Sequence, residues 1–171
     1  VPLGFAGAIS AHRDAPLSIT ASLRTLGRRR EVASVWLLNA IHVMVFALSA
    51  TFLPLYAAMR GLRPSQIGLI FAVGSAAFTL AQVPAGRILE RVSPHVLLAP
   101  VYVARGVVTA AVPLVSGFGG LLALSVVSGV VGAVVPPALS ARLAVVTPRT
   151  QAVVAMGGFV AAADVGFFVG P

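Results

Sequence analysis

An all-α, polytopic transmembrane helical bundle with about five spanning helices is the fold class that three observations in this sequence predict. First, 58% of the 171 residues are apolar and only 9% are charged, with a mean hydropathy of +1.02. A soluble domain carries about 25% charged residues, so a globule of this composition would have almost nothing polar to cover its core. Second, the charges punctuate the chain at intervals that match bilayer crossings, each of which needs about 20 apolar residues at 1.5 Å of rise. Third, the cations fall on alternating sides of those intervals. Arg24, Arg28, Arg29, Arg30, Arg87, Arg91, Arg142 and Arg149 share one side and only Arg60 and Arg63 the other. The positive-inside rule makes the first side cytoplasmic.

Residues 1–31 precede the spans. The apolar segment 1–10 is too short to cross, and neither a basic start nor a small-residue cleavage pattern frames it as a signal peptide. It reads as the end of a preceding helix, and residues 12–31 as an arginine-rich cytoplasmic linker with amphipathic character. Residues 32–171 hold the five spans, and the start at Val1 and the end at Pro171 within an apolar run read as a piece of a longer chain.

The first span lies within 32–59, where no charge occurs between Glu31 and Arg60. Asn39, His42, Ser49 and Tyr56 recur on it at three-and-four spacing, which predicts one inward-looking polar stripe. The stripe serves either interhelical hydrogen bonding or the lining of a substrate path, and His42 is either a structural histidine or a proton carrier. The second span, within 64–86, aligns Gly68, Ala72, Ser75, Thr79, Gln82 and Gly86 on one face, a predicted packing seam in which Gln82 is a further pathway candidate.

The third span covers about 95–115 and carries Arg105, and the glycine-rich stretch 116–120 separates it from the fourth, about 121–141. On the fourth, Ser125, Gly129 and Gly132 form a small face, and Pro136-Pro137 removes two backbone donors and predicts a kink near the cytoplasmic end. The fifth span begins near 151 and carries Asp164, Gly166, Gly170 and Pro171. A charge at mid-membrane costs roughly 2.5–3.5 kcal/mol by insertion scales, so Arg105 and Asp164 each need a partner or water. Their depths differ by roughly 6 Å at helical rise, which a long arginine can bridge. The pair is therefore either a static ion pair, with snorkelling of Arg105 as its variant, or a proton- or substrate-linked switch at Asp164.

Other classes of function find little support. All twelve cations are arginine and sit singly or in short clusters between apolar runs, unlike the basic face of a nucleic-acid binder. Cysteine is absent, so disulfides and thiolate metal sites are excluded. No phosphate-binding glycine loop, His-Glu-x-x-His pattern or Gly-x-Ser-x-Gly elbow occurs. The four acids and three histidines are scattered, so no metal site, cofactor or enzymatic chemistry is expected.

The loop after the second span reads Pro84-Ala85-Gly86-Arg87-Ile88-Leu89-Glu90-Arg91-Val92-Ser93-Pro94-His95. It resembles the loop between the second and third helices of the major facilitator superfamily of secondary transporters: Gly, any, Leu, small, Asp, Arg, any, Gly, basic, basic. Gly86, Ile88, Glu90 and Arg91 match or substitute conservatively, whereas Ser93, Pro94 and His95 depart from the glycine and the basic pair. A second resemblance runs from Arg149 through Gly157 and Asp164-Val165-Gly166 to Gly170-Pro171, which looks like that superfamily's fifth or eleventh helix.

The resemblance implies a partial fold of that superfamily working by alternating access. Glu90 and Arg91 would form a cytoplasmic latch, with Gly86 allowing close helix approach. A carboxylate there can accept from the free donors at a neighbouring helix's amino end; an ordinary helix cap is the alternative. The degraded loop motif and the basic linker look more like the second half of the twelve-helix fold, which makes the spans the seventh to eleventh helices, with the first half as the alternative. It further implies export of a small molecule by proton exchange, as an antiporter, in a bacterial inner membrane, or uptake of a sugar or metabolite. The partners implied are the bilayer, a small-molecule substrate, protons and the remaining half of the transporter, with no nucleic acid. A non-transporting membrane scaffold or assembly subunit is the reading from another class.

Overall fold

The computed structural model describes residues 19–171, so the apolar segment 1–10 and the start of the linker lie outside the described residues. A short helix α1 (Ile19–Gly27) is followed by α2 (Arg30–Met59), α3 (Pro64–Leu89), α4 (Pro94–Ala111), α5 (Phe118–Val146) and α6 (Ala152–Val169), with 3-10 turns at Val112–Leu114 and Arg149–Gln151. Five of these segments are long and apolar enough to cross a membrane. Inside hydrocarbon no water can satisfy a backbone amide, so an apolar run that crosses must close its hydrogen bonds within itself as a helix. The helices are apolar on their outward faces too: Leu80, Val153 and Phe168 are 75%, 87% and 89% exposed. That is tolerable only against lipid, and the chain is a multi-pass integral membrane protein.

Elements end where the sequence supplies a reason. Gly61 turns the chain after α2 at φ +80°, and Pro64 then opens α3, whose Gln66 side chain accepts from the Arg63 backbone N–H at 2.9 Å. Gly117, at φ +84°, opens α5 three residues earlier than expected, so the break before it shrinks to 116–117. Pro136 and Pro137, where a kink is expected, lie inside α5, which runs on past the expected end near 141 to Val146. A proline ring lacks the N–H that would reach back four residues, so only the Gly132 and Ala133 carbonyls lose a donor, and neighbouring turns carry the helix past them. The second span likewise runs on from 86 to Leu89.

The helices pair in a definite pattern: α3 packs chiefly on α5, α2 on α6, and α4 on α5. The linker's amphipathic part forms α1, which tucks its fully buried Leu26 against the bundle and leaves Arg24 exposed. Two apolar clusters hold the ends. At the arginine-rich end, Leu26, Val32, Val35, Leu98, Leu139 and Ala155 belong to the larger one. At the opposite end, Ala57, Ile70 and Leu121 form the smaller.

The predicted seam on the second span is corrected by this packing. A Cβ added at Gly68 or Gly86 would meet nothing within 4 Å, and Ala72, Ser75, Thr79 and Gln82 are exposed. The face of α3 that meets α5 is centred on Gly74, where a Cβ would lie 3.3 Å from Ser125. Opposite it, a Cβ on Gly129 would run into the Gly74 carbonyl oxygen. This glycine-to-glycine approach fixes the rotation of α3 and turns the small polar row away from α5.

Candidate functional site

Beyond the larger cluster the helices part around a cavity of about 830 Å³, reaching to Ile70 and Leu121 of the smaller cluster. Its size falls within the roughly 300–1,000 Å³ of small-molecule sites. Phenylalanines from three helices, among them Phe46, Phe78 and Phe159, give it an apolar wall. The stripe predicted on the first span lies in that wall: Asn39, His42, Ser49 and Tyr56 all line the cavity.

Each of these side chains is placed by a specific contact. The Asn39 amide donates to the Phe159 carbonyl at 2.9 Å, tying α2 to α6. One turn earlier the Trp36 indole N–H donates to the Ala155 carbonyl at 3.1 Å, its ring lying against Gly158. Ser49 turns back to the Val45 carbonyl of its own helix. The Tyr56 hydroxyl is shared between the Pro113 and Val115 carbonyls at 3.3 and 3.4 Å, and its ring carries the Arg60 guanidinium 5.0 Å from the centroid. Tyr56 therefore pins the turn after α4 to the end of α2. His42 is buried, and its Nδ1 has no hydrogen-bond partner.

Arg105 reaches the same cavity from α4. Its guanidinium lies against Gly132 of α5, where an added Cβ would stand 2.6 Å from Nη1. The missing side chain at Gly132 is what lets the arginine through. The Tyr102 hydroxyl, three residues before it, donates to the Leu38 carbonyl at 2.7 Å and anchors this part of α4 to α2. Arg105 is only 9% exposed and its Nε has no hydrogen-bond partner.

The remaining predicted residues are dispersed. Asp164 is exposed on α6, outside the cavity lining, and among the described residues it forms no ion pair with Arg105. Similar depth did not bring them together, because helical rotation turns Asp164 outward while its neighbours Ala163 and Val160 face the cavity. Gln82 is exposed and also outside the lining. Glu90 and Arg91 are exposed and make no side-chain bond among the described residues.

Gly166 and Gly170 both pack on α2: a Cβ at Gly166 would strike the Ala40 carbonyl, and one at Gly170 would lie 2.9 Å from the Met44 carbonyl oxygen. Pro136 lines the cavity, the Pro137 carbonyl accepts from Ser140 at 3.1 Å, and Pro171 is exposed past the end of α6. Sequence reasoning missed Ser75 and Thr79 as lining residues, reading them as seam. The signal was there in Phe71 and Phe78, seven residues apart and therefore on one helical face that Ser75 shares.

Comparison with known proteins bears on the whole of this bundle. A family model describing the Major Facilitator Superfamily matches residues 35–171, from the first turns of α2 to the last residue. An uncharacterized MFS-type transporter from Methanocaldococcus jannaschii is 28% identical over 142 residues, which are 83% of this chain and 37% of that protein. The chain thus spans little more than a third of the length of the curated relative it matches.

Proposed function

The chain belongs to the Major Facilitator Superfamily, and from that membership we propose that it forms part of one bundle of a proton-coupled secondary exporter of small molecules, working by alternating access in the cell membrane. The observation that carries this reading is the cavity of about 830 Å³, walled by five helices and holding Asn39, His42, Tyr56 and Arg105 in an otherwise apolar lining. In such carriers the bundle rocks against a second one around a site near the membrane midplane. A half-bundle suited to this needs stiff ends and a polar middle, and the two apolar clusters flanking the cavity supply the stiffness.

Asp164 is the proposed coupling carboxylate. An acid standing out from an apolar helix costs several kcal/mol unless it faces water or a polar partner, and the second bundle would provide such a face. Glu90 and Arg91, exposed at the cytoplasmic end of α3, are the proposed latch toward that bundle.

Flux by the full-length transporter in proteoliposomes, measured over a broad compound panel with an imposed proton gradient, tests the reading. Uphill movement of at least one compound that collapses with a protonophore is expected, and Asp164→Asn should abolish its dependence on the gradient. Correct insertion with no flux for any compound would leave a membrane scaffold as the better description; an unchanged pH profile in Asp164→Asn would remove Asp164 from coupling.

A further inference from the structure

We propose that the cavity takes an amphiphilic organic anion, one carboxylate or sulfonate on an aromatic or aliphatic body, with Arg105 as its counter-charge; this rests on the transport reading and names its substrate class. The described residues include three acids, Glu31, Glu90 and Asp164, and none of them lines the cavity. Arg105 is the charged lining residue among them, 9% exposed, with no ion pair or hydrogen bond to any described residue. Beside it, His42 is 8% exposed with an unpartnered Nδ1, and both side chains point into the same space.

Arginine in a low-dielectric setting demands neutralisation, and it cannot lose its charge as a lysine can. What would satisfy it is an anionic group with two oxygens spaced to accept two N–H bonds at once. The walls define the rest of the ligand. Phe46, Phe71, Phe78 and Phe159 offer ring faces, and the volume exceeds what an inorganic anion would need. A cation would meet an uncompensated guanidinium and be repelled, while a neutral compound would leave the guanidinium unpaired. The fixed neighbours sharpen the placement. Gly132 leaves the gap through which the guanidinium passes, and Tyr102, bonded to the Leu38 carbonyl, holds this turn of α4 in register with α2.

Three probes of matched shape test the class: naphthalene-2-sulfonate, naphthalen-2-ylmethanol and naphthalen-2-ylmethylammonium, titrated calorimetrically into the full-length transporter in nanodiscs. The sulfonate should bind at least about tenfold more tightly than either of the others, the scale of a charge-assisted hydrogen bond. In Arg105→Gln that preference should shrink to within about threefold, whereas Arg105→Lys should keep the order at reduced affinity.

Equal affinity for the three, the result expected if an acid elsewhere in the transporter neutralises Arg105, overturns the proposal, and so does a preference that survives Arg105→Gln. If Arg105→Gln fails to fold, the order in the unmodified protein and in Arg105→Lys decides. Flux separates this inference from the reading beneath it. Sulfonate bound first, with no compound transported, would sink the transport reading alone; preferential transport of the ammonium or the alcohol would sink the anion class alone.

Discussion

Where α2 crosses α6, glycines and cross-helix hydrogen bonds act together: Gly166 admits the Ala40 backbone, while Trp36 and Asn39 donate to the Ala155 and Phe159 carbonyls. Where α3 crosses α5, Gly74 and Gly129 bring the backbones just as close, but the polar groups stay at home. Ser125 bonds to Leu122 and Thr79 to Ser75, each within its own helix. Lipid supplies no hydrophobic force between helices, so both crossings depend on close packing, and only the first adds polar tethers. The difference has a mechanical meaning. A shift of α3 on α5 costs packing alone, whereas a shift of α2 on α6 must also break hydrogen bonds across a medium that offers no replacement. All four helices line the cavity, so movement at either crossing would reshape it, and at the crossing of α3 on α5 that movement breaks no interhelical hydrogen bond among the described residues.

The largest expected effect tests what the crossings share. Gly166→Ala and Gly129→Ala each place a methyl against a backbone carbonyl of the facing helix, and neither carbonyl can yield without moving its helix. Overpacking of this kind costs roughly 1–3 kcal/mol, offset in part by the ~1 kcal/mol by which alanine is the better helix former. The unfolding midpoint of the full-length transporter in detergent should fall in both variants. A drop for Gly166→Ala with none for Gly129→Ala would mean that α3 and α5 are not in backbone contact.

The next effect separates the crossings. Asn39→Ala removes a tether between α2 and α6 and should destabilise by about 0.6 kcal/mol, and by no more than ~1.7, the range seen for hydrogen bonds between membrane helices. Ser125→Ala removes a hydroxyl that bonds only within α5, so its change should stay within about 0.5 kcal/mol. Paired measurements on the same preparation decide this, and equal losses would mean that the two crossings are tethered alike.

What could be read from the sequence follows the same division between local and relative information. The five spans, their order and the inward stripe on α2 were legible because length, hydropathy and helical period are properties of a single helix. Arg105 was legible as an intramembrane charge, but its surroundings were not. The prediction joined it to Asp164 by depth, and depth says nothing of rotation about the helix axis. The seam on α3 failed for a related reason. Small residues mark a face that permits approach without saying which neighbour takes it, and Gly74 lay one position away from the row that the period picked out. Gly132 is the instructive intermediate: predicted as a packing glycine, it makes room for the Arg105 guanidinium. Only the facing helix reveals what a glycine makes room for.

The smallest effect on stability comes from the same substitution at Gly86, and there it should reverse sign. Apart from its own turn of helix, nothing lies within 4 Å of the position a Cβ would take, so alanine meets no clash with a neighbouring element among the described residues. It also removes the conformational cost of glycine, which so near the end of α3 is a fraction of the ~1 kcal/mol of a helix interior. The unfolding midpoint of Gly86→Ala should therefore hold or rise slightly, in contrast to Gly129→Ala and Gly166→Ala. Flux is the second readout. If Glu90 and Arg91 latch against another bundle, the open space at Gly86 is where that bundle comes near. The variant should then combine unimpaired stability with slowed transport and altered labelling of cytoplasmic-side cysteine probes. Unchanged flux and labelling would free Gly86 of any part in a latch and leave Glu90 and Arg91 as the charged end of a helix.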